Sequence, residues 1–263
     1  MSAPSPDPAI VRGITVPYRA RFDECRPDGR VRTSALLRYA QDIAWIHSER
    51  MEFDREWYAD RNLAWVVRAV ELAVLAPLEL GATLDLTTAV VGFRKVWARR
   101  RSEGRTSDGA LAIWAHTDWV MTDTRHGRPA RVPDEFPAAF EVPPGGFEPG
   151  RVVLPPAPPD AIRHETPVRP QDLDPMGHVN NAVYVDLLEE ALAAAGPIAG
   201  PAIAGVPRRL RLEYVSPAAP GARLTGAAWP QAGATPPGEP GWAWRLTDAD
   251  GQELARAMVL LAG

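Results

Sequence analysis

The run Arg169-Pro-Gln-Asp-Leu-Asp-Pro-Met-Gly-His-Val-Asn-Asn181 places a carboxylate, Asp174, in a tight Pro-containing turn. Gly177 and His178 follow within four residues, and Asn180 and Asn181 then open an apolar helical pattern. That pattern runs from Asn181 to Ala195, with Val183, Leu187, Leu188, Ala191 and Leu192 on one face. It stops at Gly196-Pro197, a helix-ending pair. A helix start carries unpaired N–H groups and partial positive charge, so it can polarise a carbonyl. A carboxylate beside it can activate water or attack directly. The run therefore points to hydrolysis of an acyl group.

An earlier stretch repeats it. Moved back by 148 positions, the run falls on Arg21-Phe-Asp-Glu-Cys-Arg-Pro-Asp-Gly-Arg-Val31, and Arg21/Arg169, Pro27/Pro175, Gly29/Gly177 and Val31/Val179 coincide. This copy also leads into a helical pattern, Ser34 to about Arg50. Further on, Pro77-Leu-Glu-Leu-Gly-Ala-Thr-Leu84 matches Pro217-Ala-Ala-Pro-Gly-Ala-Arg-Leu224. Asp108-Gly109 and Asp250-Gly251 are hairpin turn signals before apolar strand patterns. Four correspondences in the same order indicate a duplication. Each half reads as a strand and turn, one long helix and several antiparallel strands, which is an α+β pattern. The simplest architecture is two such units in one chain, imitating a symmetric dimer.

Composition narrows the class. The 263-residue chain carries a net charge of −4, so its bulk charge does not call for nucleic acid. A single cysteine, Cys25, excludes an internal disulfide and a cysteine-based metal cluster. Apolar runs stay well short of the roughly 18 residues of a membrane span. The start, Met-Ser-Ala-Pro-Ser-Pro-Asp-Pro, lacks the parts of a signal peptide, so the expected location is the cytoplasm, away from membranes. Residues 142–159 are so dense in Pro and Gly that they read as an extended linker between the halves. A second cluster, 230–240, reads as a long loop between two late strands. His47, His116, His126 and His164 show no metal-ligand spacing, and neither a metal nor a cofactor is expected.

These features resemble the acyl-ACP thioesterases of plants and bacteria, a double-hotdog family. Asn62-Leu-Ala-Trp-Val-Val-Arg68, continuing through Pro77 and Gly81, resembles that family's first-half strand signature. Ile113-Trp-Ala-His-Thr-Asp-Trp-Val-Met121, with Asp123-Thr-Arg125 and Val132-Pro-Asp-Glu135, resembles the strand closing its first half. Asp172-Leu-Asp-Pro-Met-Gly-His-Val-Asn-Asn181 resembles its second-half active-site turn, and also the turn of 4-hydroxybenzoyl-CoA-type thioesterases. The resemblance implies a tandem hotdog fold, each half a long helix wrapped by an antiparallel β-sheet. An N-terminal hotdog over 10–140 would house the acyl chain beside a degenerate site. A linker over 141–160 and a catalytic C-terminal hotdog over 161–263 would follow. It implies hydrolysis of acyl-ACP or acyl-CoA, freeing a fatty or polyketide-like acid, and leaves room for a homodimer. The chain departs from the plant pattern at Met176, where the family has Asn, and at Pro217 and Ala218, where it has Glu and Cys. Cysteine chemistry is thereby excluded.

Asp174 is thus the expected general base or nucleophile, against the plainer reading of a turn-former. His178 is either a packing residue or a partner for the substrate carbonyl or for Asp174. Backbone N–H groups near Gly177 and His178 are the expected oxyanion donors. Asn180 or Asn181 is expected to cap the helix, with substrate contact as the other reading. Asp172 is read as structural. Ile43 and Trp65, with Leu36, Trp45 and Val67, line an acyl pocket or simply pack the core. Arg99-Arg-Arg101 and Arg208-Arg209 read as a basic rim for an acidic carrier or coenzyme A phosphates, or as solvated strand ends. In the first copy Arg26 and Arg30 stand at the places of Asp174 and His178, and neither serves as a base at neutral pH. Two rivals remain: a hotdog dehydratase of 3-hydroxyacyl thioesters, and a non-catalytic acyl-binding protein.

Overall fold

Strand β1 (Ile14–Arg19) opens the first of two units in the computed structural model, which describes residues 10, 12–142, 146–232, 238 and 240–261. The first unit comprises Met1–Arg32, Arg38–Leu72 and Ala76–Gly150; the second comprises Thr33–Leu37, Ala73–Leu75 and Arg151–Gly263. Among the described residues, no helix is long and apolar enough to cross a membrane.

In the first unit, helices α1 (Thr33–Arg50) and α2 (Arg55–Asp60) precede β2 (Leu63–Val74), β3 (Thr83–Arg94), β4 (Trp97–Thr106) and β5 (Leu111–Asp123). A short β6 (Arg128–Pro129) pairs with the end of β5, and α3 (Glu135–Ala139) follows. The sheet order is β1-β3-β4-β5-β2. Helix α1 is fixed to β1 by Tyr39, which stacks on Tyr18 at 4.8 Å, and by a 2.6 Å bond from the Tyr18 hydroxyl to Asp42. Ile43, on the same helix, is wholly buried. Beyond it lies an aromatic core in which Phe53, Tyr58, Phe136 and Phe140 pack with Trp57, Trp65 and Phe93.

The second unit contains β7 (Ile162–Pro167), α4 (Val183–Ala194), α5 (Gly200–Ala204), β8 (Arg208–Tyr214), β9 (Arg223–Pro230), β10 (Gly241–Asp248) and β11 (Glu253–Leu261). Its order, β7-β9-β10-β11-β8, repeats that of the first unit strand for strand. Helix α4 packs on β7 and β9. Its approach to β9 depends on Gly226, where an added Cβ would lie 2.8 Å from the Trp244 indole nitrogen and 3.2 Å from the Ala191 Cβ.

The duplication extends to single bonds. Ala20 N–H reaches the Ala82 carbonyl at 2.9 Å, and Val168 N–H reaches Ala222 at 2.9 Å. Gly81 and Gly221, and likewise Gly109 and Gly251, hold equivalent positive φ values. The tandem hotdog architecture expected from the sequence is the observed fold.

The described part of the Pro-rich segment after α3 lacks regular structure through residue 158 and is pinned near its middle. Gly150 N–H donates to Asp118 at 2.6 Å, and Val152 N–H donates to Glu213 at 2.9 Å. Val152 is buried with Ala161, Trp229 and Met258. Residues 143–145 of this segment lie outside the described residues, as do 233–237 and 239 of the expected loop after β9 and 1–8 at the N-terminus.

Candidate active site

The turn of interest is built from the outside in. Pro170–Asp172 form a single 3-10 turn whose buried Asp172 accepts from Arg169 N–H at 2.8 Å and from its guanidinium Nη2 at 2.8 Å. The carboxylate in turn raises the Arg169 pKa. Leu173 then bridges Val179, and Asp174 N–H donates to the His178 carbonyl at 2.8 Å, closing a small loop. Inside it, Gly177 N–H donates to the Asp174 carbonyl at 2.9 Å. Pro175 suits the second position of such a turn because its φ is preset. Gly177 has φ +75° with nothing within 4 Å of a notional Cβ, so backbone conformation rather than space selects glycine there.

Asp174 faces partly to solvent. Its Oδ1 accepts from Met176 N–H at 2.9 Å and from His178 N–H at 3.2 Å. Its Oδ2 has no hydrogen bond among the described residues. The result is a carboxylate aimed by two backbone donors with one oxygen open. The His178 ring is exposed and makes no hydrogen bond among the described residues, so its link to Asp174 runs through the backbone. Both N–H groups expected as oxyanion donors, those of Gly177 and His178, are engaged within the turn.

The helix begins later than its sequence pattern indicates, at Val183, with Ala182 in the capping position. Asn180 closes the approach to it: its side-chain oxygen accepts from Ala182 N–H at 2.9 Å and its carbonyl from Val183 N–H at 2.9 Å. Asn181 contributes its carbonyl, which accepts from the buried Tyr214 hydroxyl at 2.9 Å. Tyr214 packs edge-on against Tyr184 at 5.2 Å, and the Tyr184 hydroxyl accepts from Ala218 N–H at 3.0 Å. Burial raises the Tyr184 pKa; nearby Asp174 adds to the rise, while the Ala218 bond opposes it. Sequence reasoning singled out neither tyrosine. One stands on the helix after the turn and the other closes Leu212-Glu-Tyr214, and only the fold brings them together.

Most of the remaining candidates lie in the first unit, and Leu36, Arg208 and Arg209 in the second. Ile43 is buried in α1, and half-buried Trp65 donates to the Tyr58 hydroxyl at 3.0 Å. Leu36 and Val67 are also buried. Trp45 is 43% exposed and donates to Glu49 at 2.7 Å, so it sits on the outward face of α1 rather than lining an interior. The basic clusters differ from both readings of them. Arg100, Arg101 and Arg208 are buried. Arg99 grips Asp118 through Nε at 2.7 Å and Nη2 at 2.8 Å, and Arg101 pairs with buried Glu103 at 2.6 Å. Apolar residues on both sides of the central strand have drawn these stems inward, and internal acids neutralise two of the three charges in the first cluster.

The first unit repeats the turn with different chemistry. Cys25 bridges Val31, Arg26 N–H reaches the Arg30 carbonyl at 2.8 Å, and Gly29 N–H reaches Arg26 at 2.9 Å. Buried Glu24 takes the place of Asp172, accepting from Arg21 N–H at 2.9 Å and Nη2 at 2.6 Å. No carboxylate stands where Asp174 does.

Comparison with known proteins agrees with this construction. Residues 14–140 match the acyl-ACP thioesterase N-terminal domain, and residues 176–234 match the thioesterase superfamily. An uncharacterized protein of Mycobacterium tuberculosis is 26% identical over 220 residues, 80% of each chain. A crystal structure of an acyl-ACP thioesterase from Bacteroides thetaiotaomicron superposes with a TM-score of 0.77 at 16% identity, covering 96% of this chain and 98% of that one. The 12:0-ACP thioesterase from Umbellularia californica gives 0.75 at 20% identity, covering 95% and 96%. Fold and family matches together define a tandem hotdog thioester hydrolase. The acyl-ACP thioesterase likeness is thus carried by residues 14–140 and the thioesterase-superfamily likeness by residues 176–234.

Proposed function

We propose that the protein hydrolyses acyl-ACP or acyl-CoA and frees a fatty or polyketide-like acid, with Asp174 as general base or nucleophile. The observation that supports this most is the open Oδ2 of a carboxylate whose other oxygen is fixed by two backbone N–H donors. A fixed, one-sided carboxylate is suited to activating water at a thioester carbon or to attacking it. Thioester binding then exchanges the Gly177 or His178 N–H bond within the turn for one to the substrate oxygen, which stabilises the oxyanion. Residues 161–263 form the catalytic hotdog, 141–160 the linker, and 10–140 the hotdog that houses the acyl chain beneath α1, with Ile43 and Trp65 near it.

The test is release of free thiol from a panel of acyl-CoA and acyl-ACP substrates by the full chain and by Asp174→Asn. Thiol release that falls at least about a hundredfold in the variant supports the reading. Full activity in the variant, or no release from any substrate, overturns it. Loss of water from a 3-hydroxyacyl thioester would instead identify a dehydratase, and tight acyl binding without turnover a carrier.

A further inference from the structure

Three consecutive arginines on β4 meet different fates. Arg99 has Asp118 and Arg101 has Glu103. Arg100, between them, is only 9% exposed and is paired with no carboxylate among the described residues. Its one hydrogen-bond partner is His47 of α1, at 2.8 Å from Nη1 to Nδ1. A guanidinium has donors only, so Nδ1 accepts, the imidazole is neutral and its proton sits on Nε2. Burial, then the Arg100 and Arg50 charges, lower the His47 pKa to about 4, which agrees with that assignment. Burial likewise lowers Arg100 to about 10, which leaves it cationic at neutral pH.

The pair therefore has a surplus of donors. Arg100 retains N–H groups beyond the one given to His47, and His47 retains Nε2–H. Phe140 offers only ring faces and edges, at 5.8 Å from the guanidinium and 5.1 Å from the imidazole. The neighbouring polar chain gives no hydrogen bond to the pair among the described residues. The Ser48 hydroxyl donates to the Phe53 carbonyl at 2.9 Å, so the Tyr58 hydroxyl donates to Ser48 at 3.0 Å and accepts from Trp65. That chain closes on itself. A buried cation without a counter-charge is costly, and none of the unpaired Arg100 and His47 side-chain nitrogens is fully enclosed, so they remain open to an acceptor brought from outside. A ligand carboxylate supplies both the missing counter-charge and an acceptor, and a ketone oxygen supplies the acceptor.

The location narrows the ligand. Arg100 and His47 face each other between α1 and its sheet, in the layer where the reading above seats the acyl chain, beside the aromatic core of Phe53, Phe136 and Phe140. We infer that the substrate is an acyl thioester whose chain carries a carboxylate or ketone oxygen away from the thioester, and that Arg100 and His47 bind that oxygen. This rests on the acyl-housing role given to the first unit.

The experiment uses coenzyme A thioesters of equal carbon number: a plain alkyl chain, chains with a ketone at successive positions, and a chain ending in a carboxylate. Thiol release gives kcat/KM for the full chain and for Arg100→Met. The wild-type protein should prefer at least one oxygenated chain over the plain one by about tenfold or more. Arg100→Met should bring that ratio to about one, mainly by raising KM for the oxygenated chains. Arg100→Lys, which keeps the cation, should retain part of the preference if the methionine variant is unstable. Calorimetric titration with the free acids, a dicarboxylic acid and a keto acid against the monocarboxylic acid of equal length, gives the same comparison without turnover. Preference for the plain chain in both assays, or a preference unchanged in Arg100→Met, overturns the inference. Absence of thiol release with the acid preference intact would instead sink the hydrolase reading and leave the binding assignment standing.

Discussion

Asp172 and Asp174 are two residues apart, and the proposed function gives them opposite jobs, so their substitution should separate stability from turnover. Asp172→Ala removes the acceptor for Arg169 N–H and for its guanidinium from a site only 4% exposed. The Arg169 side chain is 48% exposed, so its guanidinium regains water, and the screened ion pair contributes little. The loss is then mainly one backbone N–H left without a partner, about 1–3 kcal/mol, or about 2 kcal/mol in the middle of that range. For a chain of this length each kcal/mol moves the melting temperature by roughly 2 °C, so the expected drop is about 4 °C. Asp174→Asn keeps an Oδ1 that accepts from Met176 and His178 N–H, and its melting temperature should move by no more than about 1 °C. Its turnover should fall at least about a hundredfold, whereas Asp172→Ala should keep turnover within about tenfold while folded. Scanning fluorimetry and thiol release on both proteins decide the matter. A large melting shift in Asp174→Asn, or abolished turnover in folded Asp172→Ala, would refute the division of roles.

Other substitutions probe the supports of the site. Tyr214→Phe removes the phenolic donor to the Asn181 carbonyl and should cost about 1–2 kcal/mol in urea unfolding; an unchanged midpoint would show that this bond contributes nothing to the helix start. Gly226→Ala sets a Cβ 2.8 Å from the indole nitrogen of fully buried Trp244 and should cost about 1–3 kcal/mol, and a variant as stable as wild type would contradict the close packing of α4 on β9. His47 makes stability depend on pH with a definite sign. The unfolded imidazole protonates below its ordinary 6.5, while the buried one resists until about 4, so the unfolded state binds more protons between those values. Stability is therefore lost as pH falls from 6.5 to 4, by about 3 kcal/mol from this group. The melting-temperature gap between wild type and His47→Gln should change across that window and stay constant above it; a gap independent of pH would mean that the buried imidazole titrates normally.

The sequence carried the fold further than the site. Turn residues with positive φ, Gly29, Gly81, Gly109 and their partners Gly177, Gly221 and Gly251, are punctuation that any chain needs at such bends, so the repeat was legible from their spacing. Helix α4 was legible through its apolar face, but its start was not. Asn180 uses its side chain in a turn three residues before the helix proper, and an Asn before an apolar run has the same appearance in either role. Arg100 and Arg101 were misread because consecutive residues of β4 are buried on both faces, where the alternation that marks an exposed strand face fails. The acids that neutralise the flanking arginines lie at positions 103 and 118, and only the strand register brings Asp118 opposite Arg99. Tyr184 and Tyr214 escaped notice for the same reason: their meeting is a consequence of packing, and nothing in either local sequence encodes it.

The two copies of the turn are a control that the molecule supplies for itself. Each closes with the same bridge, the same pair of backbone bonds and the same glycine, and each is anchored by a buried acid gripping the arginine three residues before it. In the first copy the residue at the place of Asp174 is Arg26, and the turn forms nonetheless. The N–H of Arg30, which corresponds to that of His178, finds its acceptor in Asp28 at 3.1 Å instead. A carboxylate at the first position is therefore not a requirement of the backbone. Any short acceptor near the tip of the loop satisfies the same donor. A turn-forming role accounts for Asp174 Oδ1 but not for Oδ2, and an asparagine would fill the turn-forming role as well. What separates the second copy from the first is a carboxylate that no arginine neutralises: Asp28 of the first copy pairs with Arg26 at 3.5 Å, whereas Asp174 has no ion pair among the described residues, and the proposed chemistry needs that feature where folding does not.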